Sequence, residues 1–112
     1  MLIISLAGAL TAATAAQAYG PDTCASGFVW REATPDDHVC VIPSVRAQAR
    51  RDNAQARYRV SSTNHGYGPD TCRGGYVWRE ASGPEDHVCV TSDVREQARS
   101  DNAAAQSRYV NN

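Results

Sequence analysis

The chain has 112 residues, with twelve acidic side chains against eleven Arg and no Lys. A formal charge of −1 gives no long-range basic field of the kind that recruits nucleic acid. Four cysteines in so short a chain point to a disulfide framework. Leu2 to Ala16 is apolar and rich in small residues, and it runs into Ala16-Gln17-Ala18, the Ala-x-Ala pattern read by signal peptidase. No Lys or Arg precedes the run, and it is too short and too weakly apolar for a membrane span. We read residues 1–18 as a signal peptide and the rest as a secreted, extracellular chain with no membrane attachment after cleavage.

The next stretch, Tyr19 to Val41, returns as Tyr67 to Val90. Carried on to Asn53 and Asn102, 25 of 35 aligned pairs are identical, with one residue inserted in the second copy. The chain therefore divides into a first module at 19–60, a polar linker at 61–66 and a second module at 67–112. Each copy opens on Gly-Pro-Asp, where Pro presets φ and Asp can bond nearby amides, so a turn is expected at Gly20-Pro21-Asp22. Gly27 to Ala33 is rich in β-formers; Thr34-Pro35-Asp36-Asp37 is turn chemistry; His38 to Val41 is a second β-rich run. That order predicts a hairpin. The insertion, near Ser82-Gly83-Pro84-Glu85, falls at its tip, where extra residues are tolerated. Alternation puts Phe28, Trp30 and Glu32 on one side and Val29, Arg31 and Ala33 on the other, and neither side is cleanly apolar.

After the second cysteine the spacing becomes helical, with Val45, Ala49 and Ala56 matched by Val94, Ala98 and Ala105. Ser44 is placed to cap the first helix, and Asp93 and Glu96 suit the positive end of the second. The stripe is narrow and made of small residues, so each helix needs a hairpin to lie against. Units of under about 50 residues bury too little apolar surface to stand on a core alone. Cys24 and Cys40 enclose 15 residues and Cys72 and Cys89 enclose 16. Three pairings are formally open, and the repeat favours the one within each copy. Closing such a loop contributes about 3 kcal/mol in the chain-entropy account.

The motifs GPDTC, G(F/Y)VWREA, DHVCV and RxQAxxDN resemble short repeats in exported proteins of high-GC Gram-positive bacteria, some in tandem, some joined to other domains. The resemblance covers nearly all of both copies. It implies a secreted repeat module and brings no activity, ligand or catalytic residue with it.

Several pairs are candidates for chemistry. Trp30 and Trp78 can serve as platforms for a sugar ring or an apolar side chain, or can pack on the disulfide and helix. Arg31-Glu32 and Arg79-Glu80 can meet a polar ligand; the plainer reading has the Arg over an aromatic ring and the Glu on backbone amides or a helix Arg. Asp37-His38 and Asp86-His87 are the most enzyme-like feature, since a His beside carboxylates can act as a base or bind metal. No nucleophile signature accompanies them. A zinc site from two Cys, His and Asp lacks the C-x2-C knuckle, and calcium through Asp22, Asp36 and Asp37 lacks the EF-hand alternation. Arg46, Arg50, Asn53 and Arg57 form a helical row suited to a polyanion or to plain solvation.

The expected architecture is α+β: two small repeated modules, each a disulfide-linked β-hairpin followed by a helix. The expected function is extracellular binding without catalysis, metal or cofactor, of an envelope polysaccharide or a surface protein. Two like sites on one chain would raise avidity through effective concentration. An alternative is a structural or inhibitory protein with the modules packed into one unit, and a third is a small hydrolase using Asp37, His38 and Glu32 with their counterparts.

Overall fold

The computed structural model describes residues 20–111. The segment read as a signal peptide lies outside the described residues, as do Tyr19 and Asn112. Each copy begins with the expected turn. Gly20–Asp22 forms a single 3-10 turn, and Thr23 closes it through both its amide and its hydroxyl to the Gly20 carbonyl, at 3.2 and 2.7 Å. Thr71 does the same with Gly68 at 3.2 and 2.8 Å.

Strands β1 (Val29–Trp30) and β2 (Cys40–Val41) pair antiparallel, with Val29 opposite Val41 and Trp30 opposite Cys40. In the second copy β3 (Val77–Trp78) and β4 (Cys89–Val90) repeat the register. These strands are far shorter than the β-rich runs, and the backbone gives the reason. Glu32 and Glu80 sit at φ of 54° and 53°, in the left-handed region that a residue with a side chain rarely adopts. That bend, two residues past Trp30 or Trp78, keeps the strand from running on. It lets the Glu32 amide bond the Asp37 carbonyl at 3.1 Å and the Glu80 amide the Asp86 carbonyl at 3.1 Å.

The loop then folds around one carboxylate. Asp37 accepts from Arg31 Nε at 2.6 Å and Nη2 at 3.1 Å, and from the amides of Ala33 and Val39 at 3.0 and 3.3 Å. Asp86 holds the longer second loop by the same set, from Arg79, Ala81 and Val88. The inserted residue is absorbed at Gly83, whose φ of 142° only glycine adopts without strain.

The expected disulfide pairing within each copy is present, as Cys24–Cys40 and Cys72–Cys89. Helices α1 (Pro43–Gln55) and α2 (Ser92–Ala104) follow, each running on into a 3-10 turn, Ala56–Arg59 and Ala105–Arg108. The α+β architecture of two hairpin-helix units is thus the one expected. The cap is not. Ser44 lies inside α1, and Ile42 stands at the N-cap with no side-chain bond. Pro43 takes the first helical position because its fixed φ fits there and its missing N–H is not needed. In α2, Asp93 lies in the first turn as expected. A hydrogen bond from Thr91, then amide bonds from Asp93 itself and Val94, hold its carboxyl below the ordinary value.

The apolar core is small. Val41 and Val90 are fully covered, and Ala33, Ala81 and Ala98 form one cluster, with the short side chains of α1 and α2 letting backbones approach. Much of the interior is polar but paired: Arg31, Arg79, Asp37, Asp52, Asp86 and Asp101 are all buried.

The two copies are docked, and they exchange tails to do it. Arg59, at the end of the first copy, takes Asp52 of its own helix at 2.9 Å and the Cys89 carbonyl of the second copy at 3.0 Å. Arg108 mirrors this with Asp101 at 2.8 Å and the Cys40 carbonyl at 2.9 Å. Each guanidinium also covers an aromatic ring of the opposite copy, Arg59 over Tyr76 and Arg108 over Phe28. The tails then pair as short third strands, Val60 with Cys72 and Tyr109 with Cys24. At the centre Arg31 reaches the Ala81 carbonyl at 3.2 Å and Arg79 reaches Asn53 at 2.9 Å.

Candidate functional site

Each hairpin carries a fixed Trp–His–Asp stack. Asp22 organises the first. Its backbone carbonyl accepts from Trp30 Nε1 at 2.7 Å, and its carboxylate accepts from His38 Nδ1 at 3.0 Å. A carboxylate only accepts, so Nδ1 carries the hydrogen of this bond. The imidazole lies flat on the indole, with ring centroids 3.7 Å apart and planes 15° from parallel. The second copy repeats the stack with Asp70, Trp78 and His87: 2.9 Å, 3.1 Å, and 3.7 Å at 16°. His38 and His87 keep about a third of their side-chain surface, 34% and 33%, in contact with solvent.

Both imidazoles open on one cleft of about 1120 Å³ between the copies. Asp36, Asp70 and Glu85 add carboxylates to its walls, and Arg57 adds a cation. Tyr109 lines it as well and donates its hydroxyl to the His38 carbonyl at 3.0 Å. Burial, and then the charges of Asp22 and Asp37, push the Tyr109 hydroxyl above its ordinary pKa, against the opposing effect of Arg31. It therefore stays a donor throughout the neutral range.

The sequence candidates separate into inner and outer groups. Arg31 and Arg79 are 2% exposed and tied to Asp37 and Asp86, so these four hold the loops from within. Burial acts to raise the Asp86 carboxyl. Hydrogen bonds from Arg79 and the Ala81 amide, the Arg79 charge and the Val88 amide outweigh it and hold the group below its ordinary value. Glu32 faces Arg46 and Arg50 of α1 at 3.7 and 3.8 Å, the helix-Arg contact of the plainer reading. The rings that an Arg covers belong to Phe28, Tyr76 and Tyr58, and the cations over them are Arg108, Arg59 and Arg57. The sulfurs named in the zinc alternative are bonded to each other. Asp22 is held by His38 and Asp37 by Arg31, so the three Asp of the calcium alternative do not converge. Among the described residues no three His, Cys, Asp or Glu are grouped to hold a metal ion. Of the helical row, Asn53 donates to the Ala33 carbonyl at 3.0 Å and Arg57 to the Tyr58 hydroxyl at 2.8 Å.

Two sets of residues escaped sequence reasoning. Asp22 and Asp70 read as turn residues, yet they also hold the histidines; the signal is that each Asp-Thr-Cys is matched by a His two residues before its partner cysteine, at separations of 16 and 17. Arg59 and Arg108 lie beyond the point where the aligned pairs stop at Asn53 and Asn102. Carrying the alignment seven residues past Asp52 and Asp101 reaches them both.

A second hollow, of about 340 Å³, lies on the outer side of the second hairpin, walled by Tyr67, Tyr76, Trp78, Asn64 and Arg95. Tyr67 is 80% exposed and stands edge-on to Trp78, with centroids 6.2 Å apart.

The fold and site define a disulfide-linked α+β protein in which two like units are docked as one body, each contributing the His of its Trp–His–Asp stack to a shared cleft. No protein family matches the chain, and no curated protein or solved structure does either.

Proposed function

We propose that this is an extracellular, non-catalytic binding protein whose docked copies together hold an envelope polysaccharide. The observation that carries the reading is that His38 and His87, each stacked on a Trp outside the cleft, line one cleft together. Their imidazoles are fixed by stacking and by a carboxylate, so little side-chain freedom is lost on binding. The exposed carboxylates of Asp36 and Glu85 are acceptors for sugar hydroxyls. A broad, open cleft of this size suits a stretch of polymer better than an enclosed small ligand. Export is supported by the disulfides, by the signal-like segment and by the resemblance to secreted repeats. Because the copies are docked, their two half-sites stand at a fixed spacing, and preorganisation replaces tethering as the source of combined affinity.

Co-sedimentation with insoluble peptidoglycan, chitin and cellulose tests the reading. Retention on at least one polymer, reduced at least tenfold in affinity by His38→Ala with His87→Ala, is the expected result. No retention on any of them sinks it. The exchanged tails favour a second reading, a structural or inhibitory protein that presents one composite face to a surface protein. Loss of polymer binding together with capture of a defined surface protein would move the assignment there.

A further inference from the structure

We infer that the hollow on the second hairpin is a subsite for a pyranose ring bearing a carboxylate, such as a uronic acid unit; this rests on the polysaccharide reading above. The walls are aromatic and held in place. Trp78 is fixed by the Asp70 carbonyl at its indole N–H and by His87 on one face. Tyr76 is fixed by Arg59 over its ring. Tyr67 is anchored through its backbone amide, which donates to Thr71 Oγ1 at 2.9 Å, while its ring remains largely in water. A large exposed aromatic ring set at an angle to a rigid indole is poor packing for a lone surface and good packing for the C–H face of a sugar.

The charge comes from a difference between the copies. Arg46 stands 3.7 Å from Glu32 in the first copy. Its counterpart Arg95 has no carboxylate within ion-pair distance among the described residues, and it lines the aromatic hollow instead. A half-buried guanidinium without a carboxylate, beside aromatic rings, is the arrangement that accepts a carboxylate in a two-point grip. Asn64 adds a polar side chain on the same wall for a ring hydroxyl. The matching position to Tyr67 in the first copy, Tyr19, lies outside the described residues.

The test is calorimetric titration of the full chain with oligogalacturonate and, separately, with cello-oligosaccharide of equal length. The charged oligomer is expected to bind at least tenfold more tightly. Arg95→Gln is expected to reduce that preference to near unity, and Tyr67→Ala to weaken both oligomers severalfold. Far-UV circular dichroism and an intact disulfide count check that each variant is folded. Equal affinity for the two oligomers overturns the inference. So does the absence of binding to either, or variants that bind like the parent. Should the chain sediment with an insoluble polymer while Tyr67→Ala and Arg95→Gln leave retention unchanged, this subsite falls and the broader reading stands. Failure of the parent chain to sediment with any polymer removes the broader reading itself.

Discussion

The two copies share most of the groups by which each grips the other, and they differ at the surface and at one point in the centre. Both keep the Arg–Asp hub of the loop, the Trp–His–Asp stack and the tail Arg that crosses to the opposite hairpin. They part at α1 and α2, where Arg46 faces a carboxylate and Arg95 does not. They also part at the centre, where each buried guanidinium reaches the opposite copy. Arg79 Nη1 finds Asn53, whereas the buried Arg31 Nη1 has no hydrogen-bond partner. Asn102, the counterpart of Asn53, donates to the Ala81 carbonyl and takes no bond from Arg31, so the near-symmetry breaks there. Duplication has preserved a mutual dock and left the rim free to diverge.

The largest test of that comparison removes the crossing cations. Arg59→Ala leaves Asp52, 1% exposed, without its cation, and Arg108→Ala does the same to Asp101, at 2%. Each is expected to cost about 3–5 kcal/mol in urea unfolding. Similar losses would establish that the docks are equivalent. A much smaller loss for Arg108→Ala would mean that the chain-end tail is the weaker one. Next comes removal of a disulfide. Cys24→Ala with Cys40→Ala, or Cys72→Ala with Cys89→Ala, is expected to cost about 3 kcal/mol. Because the copies are docked, either pair should lower one shared transition, and two separate transitions by calorimetry would show that the copies unfold independently.

Acid separates the loops more finely. The folded-state pKa of Asp86 lies below its ordinary value of 3.8, so its contribution is full above that value and fades as pH falls through the lowered one. Asp86→Asn is expected to destabilise the protein at neutral pH and to flatten the fall in stability below pH 3.8, as read from unfolding midpoints across pH. An unchanged acid limb would remove Asp86 as a contributor. Tyr109→Phe loses the bond to the His38 carbonyl and is expected to cost about 1 kcal/mol. Val60 occupies the matching place in the first copy, so Val60→Tyr tests whether the second dock can accept the same bond. The smallest effect concerns the left-handed glutamates. Glu80→Gly should be neutral or stabilising by about 0.5 kcal/mol, since glycine removes strain yet loosens the unfolded chain, while Glu80→Val should cost about 1–2 kcal/mol.

Local features of this chain were legible before the structure. Matched cysteines, a Pro/Asp turn between β-rich runs and a change to helical spacing were enough for the hairpin, its disulfide and its helix. Strand length was not, because the bend at Glu32 is imposed by the amides that Asp37 collects, and no periodicity carries that information. The inner side of the hairpin looked ambiguous because it holds Arg31, and a buried Arg reads as polar until its carboxylate is placed. Ser44 looked like a cap on chemistry alone; Pro43 outranked it by geometry. The pairing of Asp22 with His38 spans the disulfide loop, and the tail exchange spans copies, so neither appears in any window of neighbouring residues.

The last exchanged tail has a topological consequence. Val110 donates to the Thr23 carbonyl at 2.8 Å, so the end of the second copy lies beside the start of the first. The array is a closed ring of two, with every dock filled. A third copy spliced onto it would find no vacant hairpin and would have to displace a resident tail or hang free. By the same closure, a circular permutant joined from Val110 to Gly20 through a short bridge and opened within the exposed stretch 62–66 should reach the same fold.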